Sequence, residues 1–408
     1  MKELLDLVVF DNVFAWTLFA VTFVGIAVIP KLFGVNLLNG LVLAQIMLLF
    51  NALPIIAGLS TDAISIERGI HFFGVEFVFL TVMYAIYSRL LRKRVQIFAA
   101  LNRFFDSSAA KMLVGMMVLI AVFDFIVVPT DGSSRITYMT ASWFSFVSPF
   151  IQLATSMAYF GVFLLLQNTR RRRLGYVLLM VAIIDSILTG SKASFAFGLL
   201  IAFLALRDLS PDRMRIRYGD KLKLFVLVGT MVVLALTRLN VSFADVGDRF
   251  FLYGEATILT YFSDKPTTAC ENVSTFASMH RGLARLAGDP SANDIDTLFG
   301  YALMIQATGV NTFTGPNARL SAYTLCNFPG ERIVLCAIVV VVYLVLLLAV
   351  FRRALARPMY LAVVYPFLLG SISSAAQDFN LIMQGITVFI LLLIATIFLY
   401  AKPSHQPG

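Results

Sequence analysis

Val241-Ser-Phe-Ala-Asp245-Val-Gly-Asp248-Arg249-Phe-Phe-Leu-Tyr253-Gly-Glu255 opens a stretch that runs to Arg332 and decides how the rest of the chain is read. A bilayer crossing takes about 20 apolar residues, and nothing between Val241 and Arg332 supplies such a run. The stretch carries ionisable groups instead: Lys265, Glu271, His280, Arg281, Arg285, Asp289, Asp294, Asp296 and Arg319, besides those already quoted. Eight long apolar segments precede it and three follow. A chain of that kind could join its spans by short turns; here it interrupts them once, at length, with a polar insert. The insert reads as the working part and the spans as its mount.

Composition fixes the class. The 408 residues are 59% hydrophobic and 13% charged, against about 45–50% and 25% in soluble domains. This is the composition of an all-α, polytopic integral membrane protein. The net charge of +9 lies mainly in short loops between spans, where basic residues orient a membrane chain; no nucleic-acid partner is implied. The N-terminal stretch Met1–Asn12 lacks the features of a signal peptide.

About eleven spans are expected, at 13–33, 36–58, 71–91, 111–129, 143–167, 174–189, 193–206, 222–239, 333–351, 359–376 and 380–400. The chain thus divides into spans one to eight (1–240), the large loop (241–332), and spans nine to eleven with a tail (333–408). Gln96–Ala110 is expected to lie along the membrane surface as an amphipathic piece. Counted with the span ends that border them (Arg89 to Lys111 and Arg207 to Lys223), the loops after spans three, five, seven and nine hold six, four, six and three Lys or Arg; those after spans two, four, six and ten hold one, one, one and none. This alternation puts the basic loops in the cytoplasm and the insert on the far side.

Several residues invite a chemical reading beside a structural one. Arg249 stands among Phe250, Phe251 and Tyr253, at the expected membrane surface: it is either a phosphate ligand, which a guanidinium grips through two parallel hydrogen bonds, or a snorkelling interfacial arginine. Asn317 and Arg319, in Gly315-Pro-Asn317-Ala-Arg319, sit on a Pro/Gly-stiffened loop before span nine. They read as a sugar or phosphate hydrogen-bonder and an anion ligand, or as plain surface residues. Lys192 is a lone cation between two spans, a functional candidate by position or a snorkelling anchor. Asp124 and Asp185 lie within spans; each is expected to pair with a basic residue inside the bundle, the alternative being a proton relay. The arginine run 170–173 reads as a topological anchor. A general base would come from Glu255, Asp245, Asp248, His280 or Asp294. Cys270 and Cys326 either form a disulfide or remain thiols. No metal-ligand spacing and no nucleotide-binding loop is present, so any enzymatic chemistry proceeds without metal, cofactor or nucleotide.

Three places resemble the bacterial O-antigen polymerases of the Wzy type. They are the span-break-span unit at Thr189-Gly-Ser-Lys192-Ala-Ser-Phe195, then Asp248-Arg249-Phe-Phe-Leu after span eight, and Asn311-Thr-Phe-Thr-Gly-Pro-Asn317-Ala-Arg319 followed by Gly330 and a span. The span count and the late large loop fit as well. The related O-antigen ligases usually show His-Asn before the late span; here Pro316 precedes Asn317, which speaks against a ligase. The resemblance implies a GT-C-like membrane glycosyltransferase of the bacterial inner membrane with its site facing the periplasm. Its substrate and partner would be an undecaprenyl-pyrophosphate-linked oligosaccharide, drawn from the membrane lipid, and a chain-length regulator protein could assist it. An acceptor sugar hydroxyl attacks the donor's anomeric carbon and undecaprenyl pyrophosphate leaves. On this reading Arg249, Arg319 and Lys192, with Arg281 and Arg285 next, bind the pyrophosphate. Asn317 and Tyr253 bind substrate, and Glu255 takes the hydroxyl proton. A flippase or transporter of lipid-linked sugar is the competing class; the absence of two similar halves weighs against it.

Overall fold

The computed structural model describes residues 13–127, 144–188, 192–210, 229, 255–262, 288, 319–327 and 333–375. Among these, all regular structure is helical. Eight longer helices follow the expected apolar runs: α1 (Val13–Leu32), α2 (Val42–Ser60), α3 (Ile66–Leu91), α4 (Arg94–Asp106), α5 (Ala109–Val127), α6 (Phe144–Gln167), α7 (Arg172–Leu188) and α8 (Lys192–Leu209). Two short ones, α9 (Glu255–Tyr261) and α10 (Leu320–Asn327), belong to the insert, and α11 (Ile333–Ala354) and α12 (Pro358–Ala375) close the described chain. Five described helices (α1, α2, α3, α5 and α6) are long and apolar enough to cross a membrane. The protein is therefore an all-α, multi-pass membrane protein. The expected spans at 222–239 and 380–400 fall outside the described residues.

Two helix starts differ from the sequence reading, each for a local reason. The second helix begins at Val42 rather than at 36, because the Asn39 side chain turns back on its own backbone, donating to the carbonyls of Asn36 and Leu37 at 2.7 and 3.0 Å. The third begins at Ile66, five residues earlier than expected. Ser65 caps it in an extended conformation, its hydroxyl accepting from the Arg68 N–H, and Glu67 suits the positive end of the helix dipole. That early start brings Arg68 onto the same helix as His71 and Glu76.

The turns of the bundle gather at two ends. At one end Ser88 donates to the Phe33 carbonyl at 3.1 Å, Asp208 accepts from the Gly40 N–H and the Tyr87 hydroxyl at 3.1 and 2.7 Å, and Arg207 donates to the Leu38 carbonyl. Arg171 donates to the carbonyls of Phe105 and Ser107 at 2.9 and 2.5 Å, satisfying the open C-terminal end of α4. The C-terminal ends of α3, α6 and α8, with Arg171 and Arg207, thus share one end of the bundle. The arginine run, read as a topological anchor, also locks α4 to the α6–α7 turn. The expected surface piece Gln96–Ala110 is α4, whose apolar face (Ile97, Phe98, Leu101, Phe105) is buried, with α12 its main neighbour. At the opposite end, where residues 61–65 join α2 to α3, sit α9 and α10 of the insert.

Helices in a bilayer are drawn together by close packing and by polar contacts rather than by hydrophobic exclusion. The glycines show how close. A Cβ on Gly175 of α7 would lie 3.1 Å from the backbone nitrogen of Leu166, and one on Gly198 of α8 would lie 2.1 Å from the Tyr159 ring. Asp124 of α5 and Asp185 of α7 are buried. A basic partner is what the sequence suggests for each, and the structure sets the two aspartates beside one another. Conversely, one face of α1 (Val21, Val24, Val28, Leu32) and one of α5 (Met112, Leu119, Phe125, Ile126) remain exposed, as side chains facing lipid would be.

Candidate functional site

Residues 68, 71, 72, 76 and 79 of α3 recur at spacings of three and four, so they share one helical face. Phe72 and Phe79 are apolar; Arg68, His71 and Glu76 are not. A helix that crosses a membrane carries three ionisable side chains on one stripe only if that stripe is covered by protein. The cover is the insert: α10 packs on this face, and α9 packs on α10 and on α2.

Glu76 anchors the arrangement. It is 1% exposed, and Arg319, the residue just before α10, is 3% exposed. The Arg319 Nε donates to Glu76 Oε2 at 3.0 Å, and its Nη2 donates to the same oxygen, forming a buried ion pair. The Ser321 backbone N–H donates to the other oxygen, Oε1, at 3.3 Å. One carboxylate therefore holds the guanidinium and also meets an open N–H of the first turn of α10, where the helix dipole favours negative charge. Two buried polar atoms beside it have no protein partner: Arg319 Nη1 and Ser321 Oγ. Buried polar groups are hydrogen-bonded in nine cases of ten or more, so an orphaned guanidinium nitrogen and an orphaned hydroxyl two residues apart in the chain mark a place fitted to accept an anion or a polyol.

A second polar group forms one turn along α3. The His71 Nδ1 lies 2.8 Å from the Tyr261 hydroxyl, and its Nε2 lies 3.4 Å from the Thr324 hydroxyl. Tyr261 ends α9 and is completely buried, edge-on to Phe72. Its hydroxyl also reaches the Ser321 carbonyl at 3.3 Å. Burial pushes the phenol well above its ordinary range, so it keeps its proton. Thr324 donates to the same Ser321 carbonyl at 3.0 Å. Arg68 donates to the Tyr261 carbonyl at 2.8 Å, satisfying the last backbone acceptor of α9. On the far side of α9, Thr257 donates to Asn51 of α2 at 2.5 Å. The two insert helices are thus pinned to α2 and α3 by side-chain hydrogen bonds and one ion pair.

Of the residues singled out in the sequence, only Arg319 is placed in this cluster, and its surroundings are a correction. It does not ride on an exposed surface loop: its head is buried against Glu76, because α10 begins at once and turns it toward α3. Lys192 is the first residue of α8 and Glu255 the first of α9; their side chains, and Arg249, Tyr253, Arg281, Arg285 and Asn317, lie outside the described residues, as do His280 and the Cys270–Cys326 question. The sequence reading missed Glu76, His71 and Arg68. A carboxylate five residues inside an expected span was a visible signal; its partner, 243 positions away, was not.

Comparison of the chain with protein-family models, with curated proteins and with solved structures finds no match.

Proposed function

We propose that this chain is a glycosyltransferase that polymerises undecaprenyl-pyrophosphate-linked oligosaccharide repeats into O-antigen or a related surface polysaccharide, at the periplasmic face of the bacterial inner membrane. The observation that carries the reading is Arg319. The transfer expels a diphosphate, so negative charge develops on the leaving oxygen, and a cation fixed in place beforehand lowers that barrier most. Arg319 is such a cation: Glu76 holds its Nε and Nη2, while Nη1 is buried with no protein partner. It stands where a polar insert meets the ends of apolar spans, which suits a substrate with a polyprenyl tail and a sugar head. Arg249, Lys192, Arg281 and Arg285 are proposed to complete the diphosphate site, Asn317 and Tyr253 to bind sugar.

The basic residues at the opposite end, Arg171 and Arg207 among them, support the periplasmic assignment through the positive-inside tendency. No nucleotide is required, since the diphosphate-linked donor is already activated.

The test is a deletion strain. Polymerase loss leaves surface polysaccharide of a single repeat on the lipid core, and wild-type protein restores long chains. Arg319→Ala and Arg319→Lys both fail to restore them at normal membrane levels, because an ammonium cannot use Glu76 and a phosphate in the same fork. Loss of every repeat in the deletion strain instead identifies a ligase or a flippase, and full-length polymer from Arg319→Ala removes the site. One observation favours a transporter, the neighbouring buried aspartates Asp124 and Asp185 inside the spans, where proton carriers are found; the deletion phenotype separates the two.

A further inference from the structure

We infer that His71 takes the proton of the acceptor hydroxyl during glycosyl transfer, with Tyr261 and Thr324 fixing its orientation. The inference rests on the polymerase reading and adds to it the acid–base half of the reaction. In the step, the acceptor oxygen forms a bond to the anomeric carbon and the bond from that carbon to the diphosphate oxygen breaks. The electron pair leaves with the diphosphate toward Arg319, and the hydroxyl proton passes to the imidazole. The imidazolium later returns its proton to water.

Three observations single out His71 among the described carboxylates and imidazoles. First, Glu76, the buried carboxylate of α3, already accepts from Arg319 Nε, Arg319 Nη2 and the Ser321 N–H; its lone pairs are committed to holding the arginine. Second, His71 is only half-buried, so a substrate can reach it, whereas Glu76 is sealed. Third, its two nitrogens are held unequally. Nδ1 is 2.8 Å from the Tyr261 hydroxyl, and Nε2 is 3.4 Å from the Thr324 hydroxyl. Both hydroxyls can send their single proton to the Ser321 carbonyl, at 3.3 Å from Tyr261 and 3.0 Å from Thr324. The phenol oxygen then accepts from Nδ1–H, and Nε2 carries a lone pair that Thr324 does not fill. A hydrogen bond at one ring nitrogen sets the role of the other.

The spacing suits the two jobs. Thr324, beside Nε2, lies five residues beyond Arg319. At about 1.5 Å per helical residue that is on the order of 7 Å, enough for a sugar ring between the nitrogen that accepts the proton and the guanidinium that meets the leaving group. The charged and titratable groups around His71 are Glu67, Arg68 and Glu76 on its own helix, Tyr261 on α9, and Arg319 before α10.

The experiment uses full-length protein in proteoliposomes with a lipid-linked repeat unit, scoring polymer length against time across pH. Removing a general base costs roughly 10²–10⁴-fold in rate. His71→Gln and His71→Ala are expected to lose kcat on that scale with KM little changed. The acid limb of the wild-type profile, between about pH 5 and 8 for an imidazole, should be missing from their residual activity, and added imidazole should restore part of the His71→Ala rate. A wild-type rate and an unchanged acid limb in both variants overturn the inference and leave the polymerase reading standing. Failure of the wild-type protein to join repeats overturns the reading itself. Should the His71 variants not accumulate, Tyr261→Phe answers the same question: it is expected to displace the acid limb, and an unmoved limb overturns the inference.

Discussion

Removing the Glu76 carboxylate tests whether the insert is held on the bundle by the ion pair. In Glu76→Ala, Arg319 keeps its charge and loses the acceptor of its Nε and Nη2, while the Ser321 N–H loses its acceptor too. Both side chains are almost completely buried, at 1% and 3% exposure, so solvent screening does not soften the loss. Breaking such a pair from one side costs about 3–5 kcal/mol. At roughly 1–2 °C per kcal/mol for a chain of this length, the expected fall in the unfolding midpoint is on the order of 5 °C. The assay is thermal unfolding of purified protein in detergent, at one fixed scan rate, followed by tryptophan fluorescence and by loss of the monodisperse peak. The control is the double variant Glu76→Leu/Arg319→Met, which replaces both charges by apolar side chains of similar volume. Exchanges of that kind are neutral or stabilising, so the double variant should regain most of the midpoint while remaining inactive in polymer synthesis. A Glu76→Ala midpoint within about 2 °C of wild type would refute the burial of the pair. An active double variant would refute the role given to Arg319.

Thr257→Val removes the donor to Asn51 at the α9–α2 contact; a loss of about 1–3 kcal/mol is expected, seen as faster proteolysis of the insert in intact membranes. Gly198→Ala sets a methyl group against the Tyr159 ring and should cost about 1–3 kcal/mol by overpacking, read as a lower unfolding midpoint that Gly198→Ala/Tyr159→Leu recovers. In a protein whose native cysteines are replaced, Glu67→Cys at the insert end should react with a membrane-impermeant maleimide in intact spheroplasts. Lys93→Cys at the basic end should react only after permeabilisation, and the reverse pattern overturns the orientation. Asp185→Asn keeps a hydrogen-bonding group against Asp124 but removes an ionisable one; polymer length should be unaffected, whereas a proton-coupled transporter would stop.

How far this could be read from sequence differs by residue. Apolar runs of about 20 residues announce their helices directly, and α5, α6, α7 and α11 begin and end close to where the runs do. The misplaced starts of α2 and α3 both lie where short polar side chains compete with the backbone: Asn39 folding back on residues 36 and 37, and Ser65 capping a turn earlier than the hydropathy suggests. Arg319 stood out because a Pro/Gly-rich loop carries it. Its burial did not, since burial depends on Glu76, which sits in a different helix. The intramembrane aspartates were conspicuous for the same reason that Glu76 should have been: each is an ionisable group inside an apolar run. What a run cannot reveal is which distant side chain answers it. His71 was overlooked because it was counted as the head of a span, and its value comes from Tyr261 and Thr324, contributed by the insert.

An ion pair in apolar surroundings is an awkward way to hold two elements together, because taking both charges out of water costs more than well-packed leucines would. A purely mechanical joint between α3 and α10 therefore gives no reason for Arg319. The way its nitrogens are distributed does. Two face Glu76, which fixes the guanidinium plane; the third is buried with no protein acceptor, as is the Ser321 hydroxyl. A cation left without a carboxylate would be expensive to bury, and one satisfied on all sides would have nothing to offer a ligand. Glu76 sets Arg319 between those states. It neutralises most of the burial cost in advance and leaves one donor for the charge that appears when a diphosphate departs.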